Sequence, residues 1–426
     1  MPDDRTAALR ARRDRLLGPA YRLFYDEPLH VVRGEGVWLT DAAGDRYLDA
    51  YNNVASVGHC HPHVVAALAR QAAVLNTHTR YLSEGVLDYA ERLLATFPPE
   101  IGHVMFTCTG SEANDLALRV ARTVTGGTGV IVTDWAYHGV TVALAEMSPS
   151  LGSAVRIGDH VRLVAPPDAY REPGDAAQAF AARVTAAIED MRRHGIVPAA
   201  LLVDTIFSSD GVFADPPGVL APAAAAMRAV GGLVIADEVQ PGFGRTGGMW
   251  GFARHGLVPD MVTMGKPMGD GHPIAGMAAR PEVLAEFGRR TRYFNTFGGN
   301  PVSAAVGMAV LDVIEGEGLV TNARDTGAVL RQALQDLAAR HLAIGDVRGA
   351  GLFLGVELVR DRATREPDGA LAARVVNGLR RRRVLVSSCG RHGNVLKLRP
   401  PLVFAREHAE ILVDALDRTL ADPDGA

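Results

Sequence analysis

Short apolar segments alternate with helical patterns through the middle of the chain, and this alternation constrains the fold more than any other feature. Short strands that alternate with helices predict a mostly parallel sheet with helices covering both faces. In such sheets, ligands bind at the carboxyl ends of the strands, so residues that follow a strand are the first candidates for a functional site. The predicted strands are 104–107, 130–133, 200–203, 233–236 and 261–264.

The two ends of the chain have a different pattern from the middle. Residues 31–45 are typical of a hairpin, whereas the part after about residue 345 combines short strands with a closing helix over 407–420. The ends therefore predict a small α+β domain beside a large α/β domain, and 426 residues are enough for both cores. The predicted bounds are 1–59 for the N-terminal part of the small domain, 60–310 for the large domain and 311–426 for the C-terminal small domain.

Composition excludes several classes of protein. Hydrophobic residues make up 48% of the chain and charged residues 22%, which is ordinary for a globular protein. A net charge of -4 gives no reason to expect nucleic-acid binding. The 3 cysteines are widely spaced and odd in number, which argues against a disulfide framework and fits a reducing compartment. With no apolar signal segment and no run long enough to span a bilayer, we expect a cytoplasmic protein without a membrane partner.

Two of the predicted strands end beside side chains of complementary chemistry. The segment 232–237 ends in Asp237, and Lys266 follows the strand 261–264. A lysine amine can form a Schiff base with an aldehyde, and an aspartate can keep a pyridinium nitrogen protonated. Pyridoxal 5'-phosphate (PLP) requires both groups from a protein, so this pair predicts a PLP site.

The start of the helix after strand 104–107 has two interpretations. Thr109 and Glu112 have the spacing of a capping box. The same helix start presents free N–H groups and a positive dipole end, which could equally hold a phosphate. Tyr137 and His138 follow the strand 130–133, so an aromatic ring and an imidazole fall at the same edge of the predicted sheet.

Three other motifs give weaker signals. Residues 242–247 (GFGRTG) match the dinucleotide pattern G-x-G-x-x-G, but residues 238–241 separate them from the strand, so we interpret them as a flexible glycine loop. Residues 265–266 (GK) lack the upstream glycine and the following Ser or Thr of a P-loop. Residues 59–63 (HCHPH) are crowded for metal ligands, and a helix that starts at Pro62 explains them better, so no metal is expected.

Taken together, the motifs resemble those of class III (subgroup II) aminotransferases of PLP fold type I, from about Leu29 to Leu402. Within the family the most similar branch contains ethanolamine-phosphate phospho-lyase and its alanine–glyoxylate aminotransferase relatives, on the evidence of residues 262–273 and 74–81. The matching stretches are 110–114 (GSEAN), 136–139 (AYHG), 236–240 (ADEVQ) with 242–247, 265–266 and 295–301 (NTFGGNP).

The resemblance implies a large domain with a mostly parallel sheet, a small α+β domain, PLP as the cofactor and a role for each matching residue. Lys266 would carry the internal aldimine and move the proton, and Asp237 would stay charged beside the pyridine nitrogen. Gly110 and Ser111 would hold the phosphate. The remaining cofactor contacts that it implies are Val239 on one ring face, Tyr137 with His138 on the other side, Gln240 at the ring hydroxyl, and Thr296 from the neighbouring subunit of a homodimer.

The chain departs from the family pattern where substrates bind. The usual glutamate after strand 200–203 is the shorter Asp204, and the usual carboxylate-binding arginine is Lys397, with Arg399 on the same strand face if 395–399 is extended. A lysine offers a point charge in place of a bidentate fork. Either Lys397 and Arg399 bind a substrate phosphate, or Arg399 points away and Lys397 pairs with Asp204. Family position also makes Tyr51, Asn53, Val54 and Tyr81 candidate substrate contacts.

These observations predict an aminotransferase, which moves an amino group from an amine or amino acid to an oxoacid or aldehyde. The alternative is a phospho-lyase that eliminates phosphate and ammonia from an O-phosphorylated amino alcohol such as phosphoethanolamine. Both reactions begin with one proton abstraction, so Lys266, Asp237 and Tyr137 do not separate them. A dinucleotide-dependent oxidoreductase and a PLP-fold protein without catalysis are weaker alternatives.

Overall fold

The computed structural model describes residues 4–423, and the first three and last three residues lie outside it. Among the described residues, no helix is both long and apolar enough to cross a membrane. Short 3₁₀ helices cover Pro149–Leu151, Gly251–His255 and Lys266–Gly269. The α-helices are α1 (Asp4–Leu17), α2 (Pro62–Ala72), α3 (Glu84–Leu94), α4 (Gly110–Thr125), α5 (Val142–Ala145), α6 (Ala176–Arg193), α7 (Ala221–Arg228), α8 (Pro281–Arg290), α9 (Pro301–Gly316), α10 (Leu319–Arg340), α11 (Gly369–Arg381) and α12 (Arg406–Ala421).

The strands form three sheets, of seven, five and four strands. Each of the five predicted strands lies within one strand of the seven-stranded sheet, to within a residue or two at its ends. The strands are β1 (Val31–Glu35), β2 (Trp38–Asp41), β3 (Arg46–Asp49), β4 (His103–Thr107), β5 (Gly129–Thr133), β6 (Val161–Val164), β7 (Pro198–Asp204), β8 (Leu233–Asp237), β9 (Met261–Met264), β10 (Ala275–Ala279), β11 (Ile344–Ala350), β12 (Phe353–Asp361), β13 (Glu366–Pro367), β14 (Val384–Leu385), β15 (Ser387–Cys389) and β16 (Val395–Leu398).

The large sheet has the strand order β4-β10-β9-β8-β7-β5-β6. The five strands from β9 to β6 are parallel to one another, whereas β10 runs antiparallel to both of its neighbours. A parallel partner for β9 would need a crossover of about a dozen residues or more, and the short turn at 265–274 does not provide one. The prediction of an α/β fold with a mostly parallel sheet is confirmed.

Helices cover both faces of this sheet because successive side chains of each strand point to opposite faces. On β7, Leu201 and Val203 pack with the apolar side of α6 and α7, whereas Ala200 and Leu202 pack with the apolar side of α4 and α8. All of β7 is buried. Burial of each large aliphatic side chain contributes about 1.5–3 kcal/mol, so a strand of this kind is fixed in register by both layers.

The two smaller sheets join the beginning of the chain to its end. β14 pairs in parallel with β3, so that Val384 lies opposite Leu48. In the five-stranded sheet, β16 lies between β12 and β15, and Lys397 is paired with Gly355 on one side and Ser387 on the other. The predicted domain bounds stay a prediction.

One local prediction was wrong. Residues 242–247 are a packed turn and not a flexible glycine loop. Phe243 is buried against Trp250, with ring centroids 5.1 Å apart, and Arg245 is also buried, with its Nη1 donating to the carbonyl oxygens of Leu352 and Pro400. The partners that hold this turn come from the C-terminal part of the chain, so the local glycine pattern did not indicate them.

Candidate active site

The carboxyl ends of β8 and β9 bring Asp237 and Lys266 to one edge of the large sheet. Asp237 is the last residue of β8 and is paired with Thr263 of β9, and Lys266 follows β9 by two residues. Both side chains line a cavity of about 90 Å³. The other residues that line it are Gly110, Ser111, Asn114, Tyr137, His138, Gly139, Val239 and Gln240.

Asp237 is buried and held by three donors. Its Oδ2 accepts a hydrogen bond from Asn114 Nδ2 (2.9 Å) and lies 2.8 Å from His138 Nδ1, while its Oδ1 accepts from the backbone N–H of Val239 (3.0 Å). A carboxylate only accepts, so Nδ1 of His138 carries the hydrogen. The arrangement therefore holds the Asp237 side chain in a fixed position at the cavity.

Asn114 is a member of this site that the sequence prediction missed. It lies on the buried side of α4, donates to both Asp237 and the carbonyl oxygen of His138, and accepts at Oδ1 from Thr263 Oγ1 (2.6 Å). Buried polar side chains normally have hydrogen-bond partners. An asparagine among the apolar positions of an amphipathic helix was the available signal, but its partners on β8 and β9 were not visible in the sequence.

The start of α4 leaves two backbone donors free after its capping box is formed. Thr109 accepts from the N–H of Glu112 (3.1 Å), and the Glu112 carboxylate accepts from the N–H groups of Cys108 and Thr109. Within the described residues, no hydrogen bond uses the N–H of Gly110 or Ser111. Both residues line the cavity, and they lie at the positive dipole end of α4. The capping box and phosphate binding therefore use different donors, and both interpretations of this helix start are compatible.

Gly110 permits the backbone to approach the cavity closely. A Cβ at this position would lie 2.9 Å from Val239 Cγ1, which is closer than side-chain contacts allow. Val239 and Tyr137 line the cavity together with Lys266, whose Nζ is 6.0 Å from the centre of the Tyr137 ring. An aliphatic side chain and an aromatic one thus line the same cavity as the Lys266 amine.

The Lys266 amine is tuned toward the neutral form. Burial lowers its pKa to about 8, and the nearby positive charge of Arg399 acts in the same direction, while Asp237 and Asp204 oppose the change. A neutral amine can act as a nucleophile or a base, and a charged ammonium group cannot. The position and the pKa of Lys266 therefore suit both bond formation with an aldehyde and proton transfer.

A second group of polar side chains lies beside Gln240. Gln240 Oε1 accepts hydrogen bonds from Arg399 Nη1 and, at 3.4 Å, from Lys397 Nζ. Arg399 Nη1 also donates to Asn53 Oδ1 (3.0 Å), and the Arg399 guanidinium lies over the Tyr51 ring at 4.4 Å. Gln240 thus connects the cavity that Lys266 lines to a buried cluster of two cations.

Lys397 and Arg399 are the two cations of this second group. Lys397 and Arg399 are both buried, and among the residues that the structure describes neither forms an ion pair with a carboxylate. Burial, together with the charges of Arg399 and Lys266, lowers the pKa of Lys397 to about 7. The alternative in which Arg399 points away and Lys397 pairs with Asp204 is wrong, because Asp204 Oδ1 and Oδ2 instead accept from Ile206 N and Ser208 Oγ.

Two predicted site residues lie away from the cavity of their own chain. Tyr81 is 67% exposed and Thr296 is also exposed, and neither lines the cavity at Lys266. Tyr81 instead lines a separate cleft of about 680 Å³ with residues from the segments 75–90 and 292–301. Thr296 lies in the second of these segments.

The histidines of residues 59–63 each have a carboxylate partner of their own. His59 pairs with Asp49, while His61 and His63 pair with carboxylates of α9 and the turn after it. Pro62 begins α2, as expected. Across residues 4–423, no group of three or more His, Cys, Asp or Glu side chains is arranged to hold a metal ion.

Comparison with known proteins identifies the family. The sequence pattern described as "Aminotransferase class-III" matches residues 24–420. The chain belongs to the class III aminotransferase family. It is 42% identical to an alanine–glyoxylate aminotransferase 2-like protein of Drosophila melanogaster over 93% of this chain and 84% of that one. It is 38% identical to the ethanolamine-phosphate phospho-lyase homolog 1 of Caenorhabditis elegans over 96% of this chain and 92% of that one.

A solved structure is similar along almost the whole chain. It is described as a phospholyase from Arthrobacter in complex with phosphoethanolamine, and it is 46% identical to this chain with a TM-score of 0.94. The likeness covers 97% of this chain and 99% of that one. The resemblance to class III aminotransferases of PLP fold type I, with relatives in both the phospho-lyase and the aminotransferase groups, is therefore confirmed.

PLP is the cofactor of this family, and the residues at the cavity fit it. The free N–H groups of Gly110 and Ser111 suit a phosphate, Asp237 suits a protonated ring nitrogen, and Lys266 suits an aldehyde. When bound, PLP withdraws electrons from the carbon that carries the substrate amino group. The protein supplies the Asp237 carboxylate, the Lys266 amine and the Val239 and Tyr137 side chains that line the cavity.

Proposed function

We propose that this enzyme is a phospho-lyase acting on a small O-phosphorylated amino alcohol of the phosphoethanolamine class. The observation that carries the proposal is the pair of buried cations, Lys397 and Arg399, which share the neutral oxygen of Gln240 and have no carboxylate partner in the described chain. The sequence alone favoured the aminotransferase, and this pair of cations leads us to prefer the phospho-lyase.

Energetics favour an anionic ligand at this pair. An unpaired buried charge costs several kcal/mol, and a neutral amide oxygen compensates only part of that cost for Lys397 and Arg399. A phosphate monoester carries nearly two negative charges at neutral pH, which matches two cations in number. In the free enzyme, burial lowers the pKa of Lys397 to about 7, so the neutral form of this lysine avoids part of the cost of the buried charge. A bound phosphate dianion would favour the charged form.

The proposed reaction needs one base and one site for the leaving group. Lys266, as a neutral amine, takes the proton from the carbon that bears the amino group. The electron pair left on that carbon forms a double bond to the neighbouring carbon, whose bond to the phosphate oxygen breaks. Phosphate leaves with the electron pair of the broken C–O bond, and Lys397 and Arg399 stabilise its charge. The unsaturated amine that results takes up one water and yields an aldehyde and ammonia.

The comparisons support this choice. The similar Arthrobacter structure is described as a phospholyase in complex with phosphoethanolamine, and the Caenorhabditis elegans relative is named an ethanolamine-phosphate phospho-lyase homolog. We therefore take phosphoethanolamine as the first substrate to test.

The variants Lys397→Met and Arg399→Met test the proposed phosphate site. Each should lower kcat/KM for phosphoethanolamine by about 100-fold, since truncation of one partner of a buried charge pair costs 2–5 kcal/mol. Arg360→Met serves as a matched control, because Arg360 is an exposed cation at the far end of β12. Retention of the visible absorbance of bound PLP would show that the variants are folded. Wild-type kcat/KM in both variants would refute the proposal.

An aminotransferase is the second candidate function. The Drosophila melanogaster relative at 42% identity is named for that activity, and the cavity at Lys266 serves the shared proton abstraction equally well. In that case a carboxylate would bind at Lys397 and Arg399, and an oxoacid or aldehyde would take up the amino group. Turnover that requires such an acceptor and releases no phosphate would favour this candidate.

We also propose that two copies of the chain form a homodimer with shared active sites. Thr296 and Tyr81 are exposed and lie away from the cavity at Lys266 in their own chain, and nearby Leu82 and Phe297 are large exposed apolar side chains. A partner that covered this face would bring Thr296 to the phosphate of the other chain. Sedimentation of the holoenzyme should give the mass of a dimer or tetramer, and a fully active monomer would contradict the proposal.

A further inference from the structure

Asp204 is a buried carboxylate whose charge acts on Lys397, and the two form no ion pair within the described chain. It ends β7 and is paired in register with Asp237 of β8. Its side chain is buried. Burial and the charge of Asp237 raise the pKa of Asp204, while the hydrogen bonds from Ser208 and Ile206 and the charge of Lys397 oppose that rise and favour the ionised form. The charge of Asp204 in turn raises the pKa of both Lys266 and Lys397 against the larger opposing effect of burial. The carboxylate is therefore close enough to influence both lysines, yet it forms no ion pair with either within the described chain.

A tight turn holds the Asp204 carboxylate in place. Oδ1 accepts from the N–H of Ile206 (3.0 Å), and Oδ2 accepts from the hydroxyl of Ser208, which is fully buried. The backbone closes the same turn, because the N–H of Phe207 donates to the Asp204 carbonyl oxygen (3.0 Å) and Phe207 has a φ of 52°. Both carboxylate oxygens thus have a donor from their own turn.

We infer that Ser208 is a specificity-determining residue that positions Asp204 away from Lys397 and Arg399 and so keeps these cations available for the substrate phosphate. This inference rests on the proposed function, since it assumes that the phosphate binds at this pair. Ser208 does not itself touch the substrate. It acts through Asp204.

The physical argument concerns what happens when the hydroxyl is lost. A buried carboxylate oxygen without a donor costs free energy. Lys397 is buried, has no carboxylate partner among the described residues and already experiences the charge of Asp204, so a released Asp204 carboxylate would turn toward it. An ion pair between Asp204 and Lys397 would compete directly with an incoming phosphate, so removal of one hydroxyl should weaken phosphate binding.

A double-mutant cycle on the holoenzyme tests this inference, with inorganic phosphate and phosphoethanolamine as the probes. Ser208→Ala should weaken phosphate binding about tenfold, the effect of one hydrogen bond to a charged group, and should raise KM for phosphoethanolamine more than it lowers kcat. In the Asp204→Asn background, the further change Ser208→Ala should leave both quantities unchanged, because no carboxylate remains to compete.

Two results would overturn the inference. One is wild-type phosphate affinity in Ser208→Ala, and the other is an equal loss of affinity from Ser208→Ala in both backgrounds, which would indicate a purely structural effect. Lys397→Met separates this failure from failure of the proposed function. If Lys397→Met loses phosphate affinity while Ser208→Ala does not, only the role of Ser208 is refuted; if Lys397→Met also binds phosphate normally, the phosphate site itself is refuted.

Discussion

The polar network behind Asp237 makes a quantitative prediction for Asn114→Ala. Asn114 Nδ2 donates to Asp237 Oδ2 at 2.9 Å, and both side chains are buried. A hydrogen bond to a charged group contributes about 1.5–3 kcal/mol, and each 1.4 kcal/mol is a factor of ten in affinity. If Asp237 binds the protonated ring of PLP, the variant should bind PLP about 10- to 150-fold more weakly than the wild type.

The same substitution should also lower the stability of the apoprotein. Asn114 satisfies the carbonyl oxygen of His138 and the hydroxyl of Thr263. Each buried polar group left without a partner costs about 1–3 kcal/mol. The free energy of unfolding should therefore fall independently of the effect on the cofactor.

Absorbance titration of the apoprotein with PLP measures the affinity, and denaturant unfolding of the apoprotein measures the stability. Asp115→Asn is the matched control, because Asp115 is the next residue of α4 and is partly exposed. A wild-type PLP affinity in Asn114→Ala would refute the reasoning, whatever the change in stability, since it would mean that the Asp237 carboxylate is equally effective without its amide donor.

Two further predictions concern ionisation and chemistry. Burial lowers the pKa of Lys397 to about 7, so this lysine is charged below that pH. The affinity of the free enzyme for phosphoethanolamine should therefore fall as the pH rises through about 7, and Lys397→Met should abolish this fall. A wild-type pH profile in that variant would contradict the assignment. Lys266→Ala should lose both turnover and the visible absorbance of lysine-bound PLP. Asp237→Asn should keep PLP but lose most of the rate. Normal turnover by Asp237→Asn would show that the ring nitrogen does not need this charge.

The sequence predicted the large sheet and the main chemical groups because each depends on local pattern. Apolar strands such as β7 and β8 are recognisable from their composition, and a strand end locates Asp237 without knowledge of packing. Lys266 follows from the same reasoning. The chemistry of these two side chains then indicated PLP, and the family comparison confirms that cofactor.

Other features depended on contacts between distant parts of the chain. Asn114 meets Asp237 across 123 residues of sequence, and the packed turn at 242–247 is held by carbonyl groups of Leu352 and Pro400. The hydrogen bond from Ser208 to Asp204 is local in sequence, but the turn that contains both residues includes Phe207 in a left-handed backbone conformation, which the sequence did not indicate.

The central claim is tested most directly by an absorbance time course of the holoenzyme with phosphoethanolamine and no carbonyl acceptor, with phosphate and ammonia measured in parallel. A phospho-lyase should return to its starting absorbance while phosphate and ammonia accumulate in equal amounts over many turnovers. A band that falls once and stays down, with no phosphate released until an oxoacid or aldehyde is added, would contradict the account and assign the enzyme to the aminotransferases.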